Sequence, residues 1–234
     1  MERAEAALAY LNQNRLLFLN MLEVLRRGSA ELLYAGADGV LLYDREVEAH
    51  MLAAEDPAAL EKMLPLMAGC DSLVGHQLWY KDALAERFGL KEEQLCYQAA
   101  WLAPEPPAVP EFGGELRLLD QSWAPWAYRH YSHAFGGVEY MEAAIRRGML
   151  GAFVDGSCAG FVGFHAEGAI GMLEVLPEYR RRGIGEALLR GIAALAVGRG
   201  QYAFAQVIAD NAPSLALQRK AGMTVSEDLL YWLF

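Results

Sequence analysis

The chain of 234 residues has few cysteines and no long apolar segment. Its three cysteines, Cys70, Cys96 and Cys158, lie far apart and form no C-x-x-C pair. We therefore predict neither a disulfide framework nor a zinc site. No run approaches the ~20 consecutive apolar residues that a membrane-spanning helix requires, and the acidic N-terminal residues do not resemble a secretory leader. We expect a cytoplasmic protein that makes no membrane contact.

A broad basic surface is also missing, because the formal net charge is −10. Residues 1–112 carry 9 basic and 18 acidic side chains, whereas residues 113–234 carry 11 and 12. Binding to nucleic acid requires a basic face, so we expect no nucleic-acid partner. The acidic first half favours a cationic partner such as an amine, although acidity that only maintains solubility remains an equal alternative.

Prolines are concentrated in one short segment, residues 103–110, which contains four of the nine. Proline continues neither a helix nor a central strand. We therefore predict a smaller α/β domain over residues 1–103, a Pro-rich linker over 104–112 and a second domain over 113–234.

The first half alternates helical and strand patterns. An amphipathic pattern predicts one helix from Glu2 to about Arg27, ended by Gly28. Further helices are predicted at Pro57–Met67 and Leu78–Phe88. Alternating or apolar runs predict strands at Glu31–Tyr34, Gly39–Tyr43, Val47–Ala53, Asp71–Gly75 and Gln94–Leu102.

In the second half a hairpin is predicted around Asp155-Gly156, a good turn signal. Helices are predicted at Trp123–Phe135, Val138–Arg147, residues 186–195 and residues 215–221. The strand predictions are Leu116–Leu119, Leu150–Val154, Cys158–His165, Ile170–Leu176, Tyr202–Ile208, Thr224–Val225 and Leu229–Phe234.

The most informative segment is Arg180-Arg181-Arg182-Gly183-Ile184-Gly185, between a predicted strand and a predicted helix. The first turn of a helix has unpaired N–H groups and the positive end of the helix dipole. Such a turn binds phosphate groups well, and glycines let an anion approach the backbone. The alternative interpretation is an ordinary turn with a solvated basic rim.

A second motif lies about thirty residues further on, where Asn211 and Ser214 precede a helix that Gly222 ends. Together with Val175-Leu176-Pro177 before the arginines, the two motifs resemble the signatures of the GNAT superfamily of acyl-CoA-dependent N-acetyltransferases. The resemblance covers about residues 115–234. It implies an α/β (α+β) fold with a GNAT-type mixed sheet, in which two parallel strands splay apart.

The same resemblance implies acetyl-CoA as co-substrate and a primary amine of a small molecule or peptide as acceptor. For residues 1–103 we hypothesise a degenerate copy of the same fold that has lost the coenzyme site. In that copy the turn after Gly75 contains no glycine pair and no arginine. An unrelated α/β domain is the alternative.

The family motifs also assign coenzyme-binding roles to particular positions. By resemblance, Leu173 and Val175 pair with the pantetheine arm, and an amide near Val175 stabilises the oxyanion. The pyrophosphate lies on the amides of Arg181, Arg182, Gly183, Ile184 and Gly185, helped by the side chains of Arg180 to Arg182. Asn211 faces the coenzyme arm, unless it is simply a helix cap. Gln218 occupies the place of a tyrosine acid and can only hydrogen-bond the sulfur.

The sequence does not determine which residue is the general base. Glu174 is a carboxylate in an apolar strand, and burial would raise its pKa, although pairing with an arginine is the alternative. His165 and Glu167 come next, because a His-x-Glu pair in a strand projects both side chains to one face. A surface pair at a turn is the competing interpretation. His130 and His133 lack a third ligand, so we predict no metal site.

The alternative function is a coenzyme-binding module without efficient turnover, acting as a sensor or partner-binding protein. Gln206 and Gln218 favour it, because both stand where family members carry acid or base side chains. A dinucleotide-binding dehydrogenase is excluded, since the G-x-G segment comes late and no acidic residue follows it by ~20 positions.

Overall fold

The computed structural model describes residues 2–133 and 136–234. The chain forms two compact units. The first contains residues up to Ala99 together with Val207–Ala212 and Val225–Phe234, and the second contains Ala100–Gln206 and Pro213–Thr224. The two expected domains were contiguous, whereas these units are not. The Pro-rich segment 104–112 contains no helix or strand and belongs to the second unit.

Eight α-helices are described, several of them preceded or followed by short 3-10 turns. They are α1 (Glu2–Leu11), α2 (Leu19–Arg27), α3 (Pro57–Met63), α4 (Lys81–Phe88), α5 (Ala124–His130), α6 (Gly137–Arg147), α7 (Ile184–Gly198) and α8 (Ala212–Lys220). None of the described helices is long and apolar enough to cross a membrane. The end of the predicted helix Trp123–Phe135 lies outside the described residues.

Eleven strands accompany these helices in the described part of the chain. They are β1 (Ala30–Gly36), β2 (Gly39–Asp44), β3 (Ala49–Ala54), β4 (Leu73–Gly75), β5 (Glu93–Trp101), β6 (Glu115–Leu118), β7 (Leu150–Val154), β8 (Ser157–Phe164), β9 (Ile170–Val175), β10 (Ala203–Ile208) and β11 (Thr224–Leu233). The last of these is one continuous strand rather than the two short ones predicted.

The sheet of the first unit has the order β1-β2-β3-β4-β11-β5. β1, β2 and β3 form an antiparallel meander, and β4 runs parallel to β3. β11 joins this unit because it pairs antiparallel with β4, with Tyr231 opposite Gly75. The Tyr231 ring covers Gly75 so closely that a Cβ there would overlap it. This nonlocal pairing explains why the C-terminal segment belongs with the first half.

The predicted helix over residues 2–27 is interrupted. Side-chain amides compete with the backbone at the break: Asn12 Nδ2 donates to the Leu8 carbonyl at 2.7 Å, and Asn14 Oδ1 accepts from the Leu17 amide at 3.4 Å. The prediction of one helix was wrong at this point, while its end at Gly28, which has φ 72°, is confirmed.

Side chains fill the carboxyl end of the parallel pair β3 and β4. His76 Nδ1 and the Tyr80 hydroxyl both donate to the Leu52 carbonyl, at 2.9 and 3.1 Å. The Ala54 amide donates to Gln77 Oε1 at 3.2 Å. Burial lowers the pKa of His76 to about 4, so its imidazole is neutral at neutral pH. The first unit has the mixed sheet that a degenerate copy of the GNAT fold requires. However, the parallel strands β3 and β4 pair along the whole of β4 and are not splayed.

The sheet of the second unit has the order β10-β9-β8-β7-β6. β6, β7, β8 and β9 are antiparallel neighbours, and β10 runs parallel to β9. The hairpin between β7 and β8 turns at Asp155-Gly156, whose φ values are 49° and 80°, so the turn prediction is confirmed. The mixed α/β fold class is confirmed as well.

A bulge interrupts β9 in the middle of this sheet. The register with β8 shifts between Phe161, which faces Glu174, and Gly163, which faces Gly171. Met172 has φ 54° in the same stretch, and a bulge of this kind bends a strand and increases its twist. The pairing of β9 with β10 is registered at Ile170 and Ala205. The bulge begins two residues later and therefore directs the rest of β9 away from that register.

Candidate functional site

The arginine-glycine segment forms an open turn between β9 and α7. A 3-10 turn at Pro177–Tyr179 leads into it, and residues 180–183 are exposed. Gly183 is the N-cap of α7 with φ 81° and offers no side-chain cap. The helix prediction placed this start at residue 186, two residues later than observed.

The amides of this turn are available. The first hydrogen bond that crosses the helix boundary runs from the Ala187 amide to the Gly183 carbonyl at 3.1 Å. Within the described residues, the N–H groups of Arg181 to Gly185 have no protein acceptor. Five successive amides at the positive end of the 15-residue helix α7 are therefore unpaired, and residues 181–183 among them are exposed. This arrangement attracts an anion such as a diphosphate.

The three arginines of the turn differ in their contacts. Arg180 Nε donates to the Val175 carbonyl at 2.9 Å, and its Nη2 lies 3.3 Å from Glu174 Oε1. The guanidinium of Arg182 stacks over the Tyr179 ring at 5.4 Å from its centroid. Arg181 has φ 65°, a conformation that costs a non-glycine residue about 1–2 kcal/mol. Arg180 is thus committed to protein acceptors, whereas Arg181 and Arg182 border the free amides.

The two glycines of the turn are required for different structural reasons. A Cβ on Gly183 would meet only Phe112 Cβ at 4.0 Å, but the left-handed backbone there strains any other residue. A Cβ on Gly185 would lie at ordinary contact distance, 3.4 Å from Leu217 Cδ2 and 3.8 Å from Val175 Cγ2. Gly185 therefore lies where β9, α7 and α8 approach one another, and its missing side chain leaves space beside the backbone.

The strand residues assigned to the pantetheine arm lie next to this turn. Leu173 and Val175 are half-buried in β9 after the bulge. They follow Ile170, the residue of β9 registered with β10. The backbone of β9 beyond that register is the part that a ligand could pair with.

Glu174 proves to be a paired carboxylate. Its side chain is only 12% exposed, and its Oε1 faces Arg180. Its Oε2 accepts from both the hydroxyl and the amide of Ser132, at 2.7 and 3.2 Å. The amide and hydroxyl of Ser132 and the Arg180 guanidinium thus hold this carboxylate, which matches the alternative interpretation of an arginine pair.

His165 and Glu167 lie in the turn between β8 and β9 and not in a strand as predicted. Gly168 donates to the His165 carbonyl at 3.1 Å and closes this turn. His165 Nδ1 is 2.6 Å from the Tyr140 hydroxyl, and Glu167 is buried, with 7% of its surface exposed. The turn therefore presents both groups beside the start of β9, although the strand argument for them was wrong.

Asn211 and Gln218 have different surroundings. Asn211 precedes α8 and belongs to the first unit, where its amide donates to the Ile208 carbonyl at 2.9 Å. Gln218 lies in α8 of the second unit and is 5% exposed. Its Oε1 is buried and has no hydrogen-bond partner among the described residues. A buried amide oxygen left in this state can accept a hydrogen bond from a ligand.

Sequence analysis missed three residues of this region. Tyr140 contacts His165, Ser132 binds Glu174, and Gly171 lies under the imidazole of His165. A glycine inside a predicted strand was a usable signal, because it often marks the close approach of another group. Tyr140 and Ser132 gave no signal, since neither belongs to a motif.

No cluster of three metal-ligating side chains occurs in residues 2–133 and 136–234. His130 Nδ1 donates to the Trp126 carbonyl at 2.8 Å, and the two rings stack at 4.2 Å. His130 is thus a helix-packing residue in α5.

Solved structures with similar folds cover nearly the whole chain. A Drosophila protein is 18% identical over 99% of this chain and 95% of its own, with a TM-score of 0.75. A GCN5-related N-acetyltransferase from Kribbella flavida is 17% identical over 94% and 93%, with a TM-score of 0.60. A GNAT-family protein from Novosphingobium aromaticivorans is 20% identical over 92% and 94%, with a TM-score of 0.55. At these identities the likeness shows the fold alone.

A comparison of sequences matches the second half of the chain to a family. Residues 115–223 match the model of the acetyltransferase (GNAT) family. Residues 115–223 are therefore a GNAT acetyltransferase domain by this match, as the two motifs had indicated. No curated protein matches the chain.

Proposed function

We propose that this protein transfers an acetyl group from acetyl-CoA to a primary amine of a small molecule or peptide. The observation that carries the proposal is the row of unpartnered amides from Arg181 to Gly185 at the start of α7. The open backbone at Gly185 and the unpartnered Gln218 Oε1 also fit a coenzyme with a diphosphate and an amide-bearing arm.

In this proposal the turn and β9 hold the coenzyme. The amides of Arg181 to Gly185 bind the pyrophosphate, with the Arg181 and Arg182 side chains at its rim. Leu173 and Val175 pair with the pantetheine arm, and Gln218 accepts a hydrogen bond from it. The family resemblance assigns Asn211 to the coenzyme arm as well. The bound thioester supplies an activated carbonyl carbon.

The remaining residues act on the acceptor amine and on the developing oxyanion. An amide of β9 near Val175 stabilises the oxyanion, since a preorganised donor is worth most where charge develops. The amine must lose a proton as it attacks. His165 and Glu167 are better placed for this step than Glu174, because Arg180 and Ser132 already hold the Glu174 carboxylate. We also propose that the protein acts in the cytoplasm.

Thiol release from acetyl-CoA with a panel of amines tests the proposal. We expect release that depends on the amine and saturates with acetyl-CoA. Glu174→Gln should change the rate less than about threefold, whereas His165→Gln should reduce it by about 10²-fold, the usual contribution of a positioned proton-transfer group. Thermal stabilisation by CoA should persist in both variants. Absence of CoA binding in the wild-type protein would overturn the proposal.

A coenzyme-binding module without turnover is the second candidate. The observation that favours it is the identity of residue 218, because a buried glutamine cannot protonate a leaving thiolate. Thermal stabilisation by CoA with no thiol release for any amine would support this candidate over the enzyme.

A further inference from the structure

Tyr140 and His165 form a hydrogen-bonded pair, and neither residue belongs to the two sequence motifs. Tyr140 projects from α6, and His165 follows β8, so two separate elements bring the groups together. Their contact is short, with 2.6 Å between the hydroxyl oxygen and Nδ1. A contact of this length is a close hydrogen bond between the two groups.

The pair lies at the point where β9 leaves the register of β10. The His165 ring packs on Gly171 so closely that a Cβ there would overlap Nε2. Gly171 directly follows Ile170, the residue registered with β10, and directly precedes the bulge at Met172. The proposed function places the thioester beside the part of β9 that follows this register, and the inference rests on that function.

The surroundings determine which group donates. Burial, and then the negative charge of nearby Glu167, raise the pKa of the Tyr140 phenol above its ordinary value. The phenol therefore stays protonated at neutral pH and donates to Nδ1, which leaves the hydrogen of the neutral imidazole on Nε2. Tyr131 also faces the phenol, and the Arg147 guanidinium lies 5.8 Å from its ring centroid. Arg147 is held there by donating from Nε to the Phe164 carbonyl at 3.0 Å.

We propose that Tyr140 is a catalytic residue that passes the proton of the acceptor amine to His165. As the amine lone pair forms the C–N bond, the phenol oxygen takes the amine proton and releases its own proton to Nδ1. The phenol ends unchanged, and the imidazole becomes an imidazolium that holds the proton. The C–S bond then breaks with its electron pair on sulfur, and the imidazolium later returns its proton to solvent.

Two variants test the relay by different routes. Tyr140→Phe removes the hydroxyl, and Gly171→Ala displaces the imidazole without changing an ionisable group. Each should lower kcat/KM for the amine about 10²-fold while leaving CoA affinity unchanged. The double variant Tyr140→Phe/His165→Gln should lose no more than either single variant, because the two groups act as a unit. Tyr128→Phe is the matched control and should stay within twofold, since this tyrosine of α5 only packs against the core.

The nitrogen-15 chemical shifts of the His165 ring test the pairing without any need for turnover. Nitrogen-15 NMR of the wild-type protein should show Nε2 protonated and Nδ1 as the hydrogen-bond acceptor, and Tyr140→Phe should shift the Nδ1 resonance. Protonated Nδ1 in the neutral imidazole, or full turnover in Tyr140→Phe, would overturn the relay. If no amine supports thiol release, the proposed function fails. The nitrogen shifts would still show whether the Tyr140 hydroxyl donates to His165 Nδ1.

Discussion

At the scale of single residues, buried polar groups differ in whether they have hydrogen-bond partners. Tyr80 and Tyr231 are both fully buried in the first unit, with ring centroids 6.3 Å apart. The Tyr80 hydroxyl donates to Leu52 and accepts from the amides of His76 and Gln77. The Tyr231 hydroxyl has no partner in the described part of the chain. The two tyrosines should therefore respond in opposite ways to loss of the hydroxyl.

We predict that Tyr231→Phe leaves the free energy of unfolding unchanged or raises it by about 1 kcal/mol, because it removes an unsatisfied polar atom. Tyr80→Phe should lower it by about 1–3 kcal/mol, since it leaves the buried Leu52 carbonyl and two amides with fewer partners. Urea unfolding of the two variants and the wild type measures both effects. Equal destabilisation by both changes would contradict this account of the core.

The residues of the proposed site could be predicted from sequence where a local pattern specifies them. Gly183 and Gly185 were found because the backbone of a phosphate-binding turn needs glycine. The predicted role of Glu174 as a base depended on burial without partners, and the sequence could not show that Ser132 approaches it from another element. Tyr140 was missed for the same reason.

At the scale of helices and strands, two helix ends followed by a glycine were predicted correctly. Gly28 and Gly89 end α2 and α4 with φ values of 72° and 71°. The interruption between α1 and α2 was not predicted, because the apolar pattern continues while asparagine amides take over the backbone hydrogen bonds. Helical periodicity alone does not report such competition.

Substitution of two glycines outside the site tests the effect of backbone strain in the absence of a steric overlap. Neither Gly28 nor Gly198 would bring a new Cβ within 4 Å of another atom, but only Gly28 has a left-handed φ. We predict that Gly28→Ala lowers the unfolding free energy by about 1 kcal/mol. Gly198→Ala, at the last residue of α7, should raise it by about 0.5 kcal/mol. Thermal and urea unfolding check the signs, and two changes of the same sign would contradict the assignment.

At the scale of the whole molecule, the sequence indicated the fold class but not the membership of the C-terminal strand. The family motifs implied a mixed sheet in the second half, and the local helix and strand patterns predicted an α/β domain in the first. β11 follows the second unit along the chain, yet its residues from Val225 onward belong to the first. That assignment depends on a pairing across more than 150 residues, with Tyr231 opposite Gly75.

The account as a whole depends on the main-chain amides that open α7. Proton–nitrogen NMR of the wild-type protein titrated with CoA tests this most directly. We predict that the largest amide shifts are those of Arg181 to Gly185, and that Gly185→Val weakens CoA binding at least tenfold with its fold retained. Saturable CoA binding that leaves these five amides unshifted would contradict the central claim.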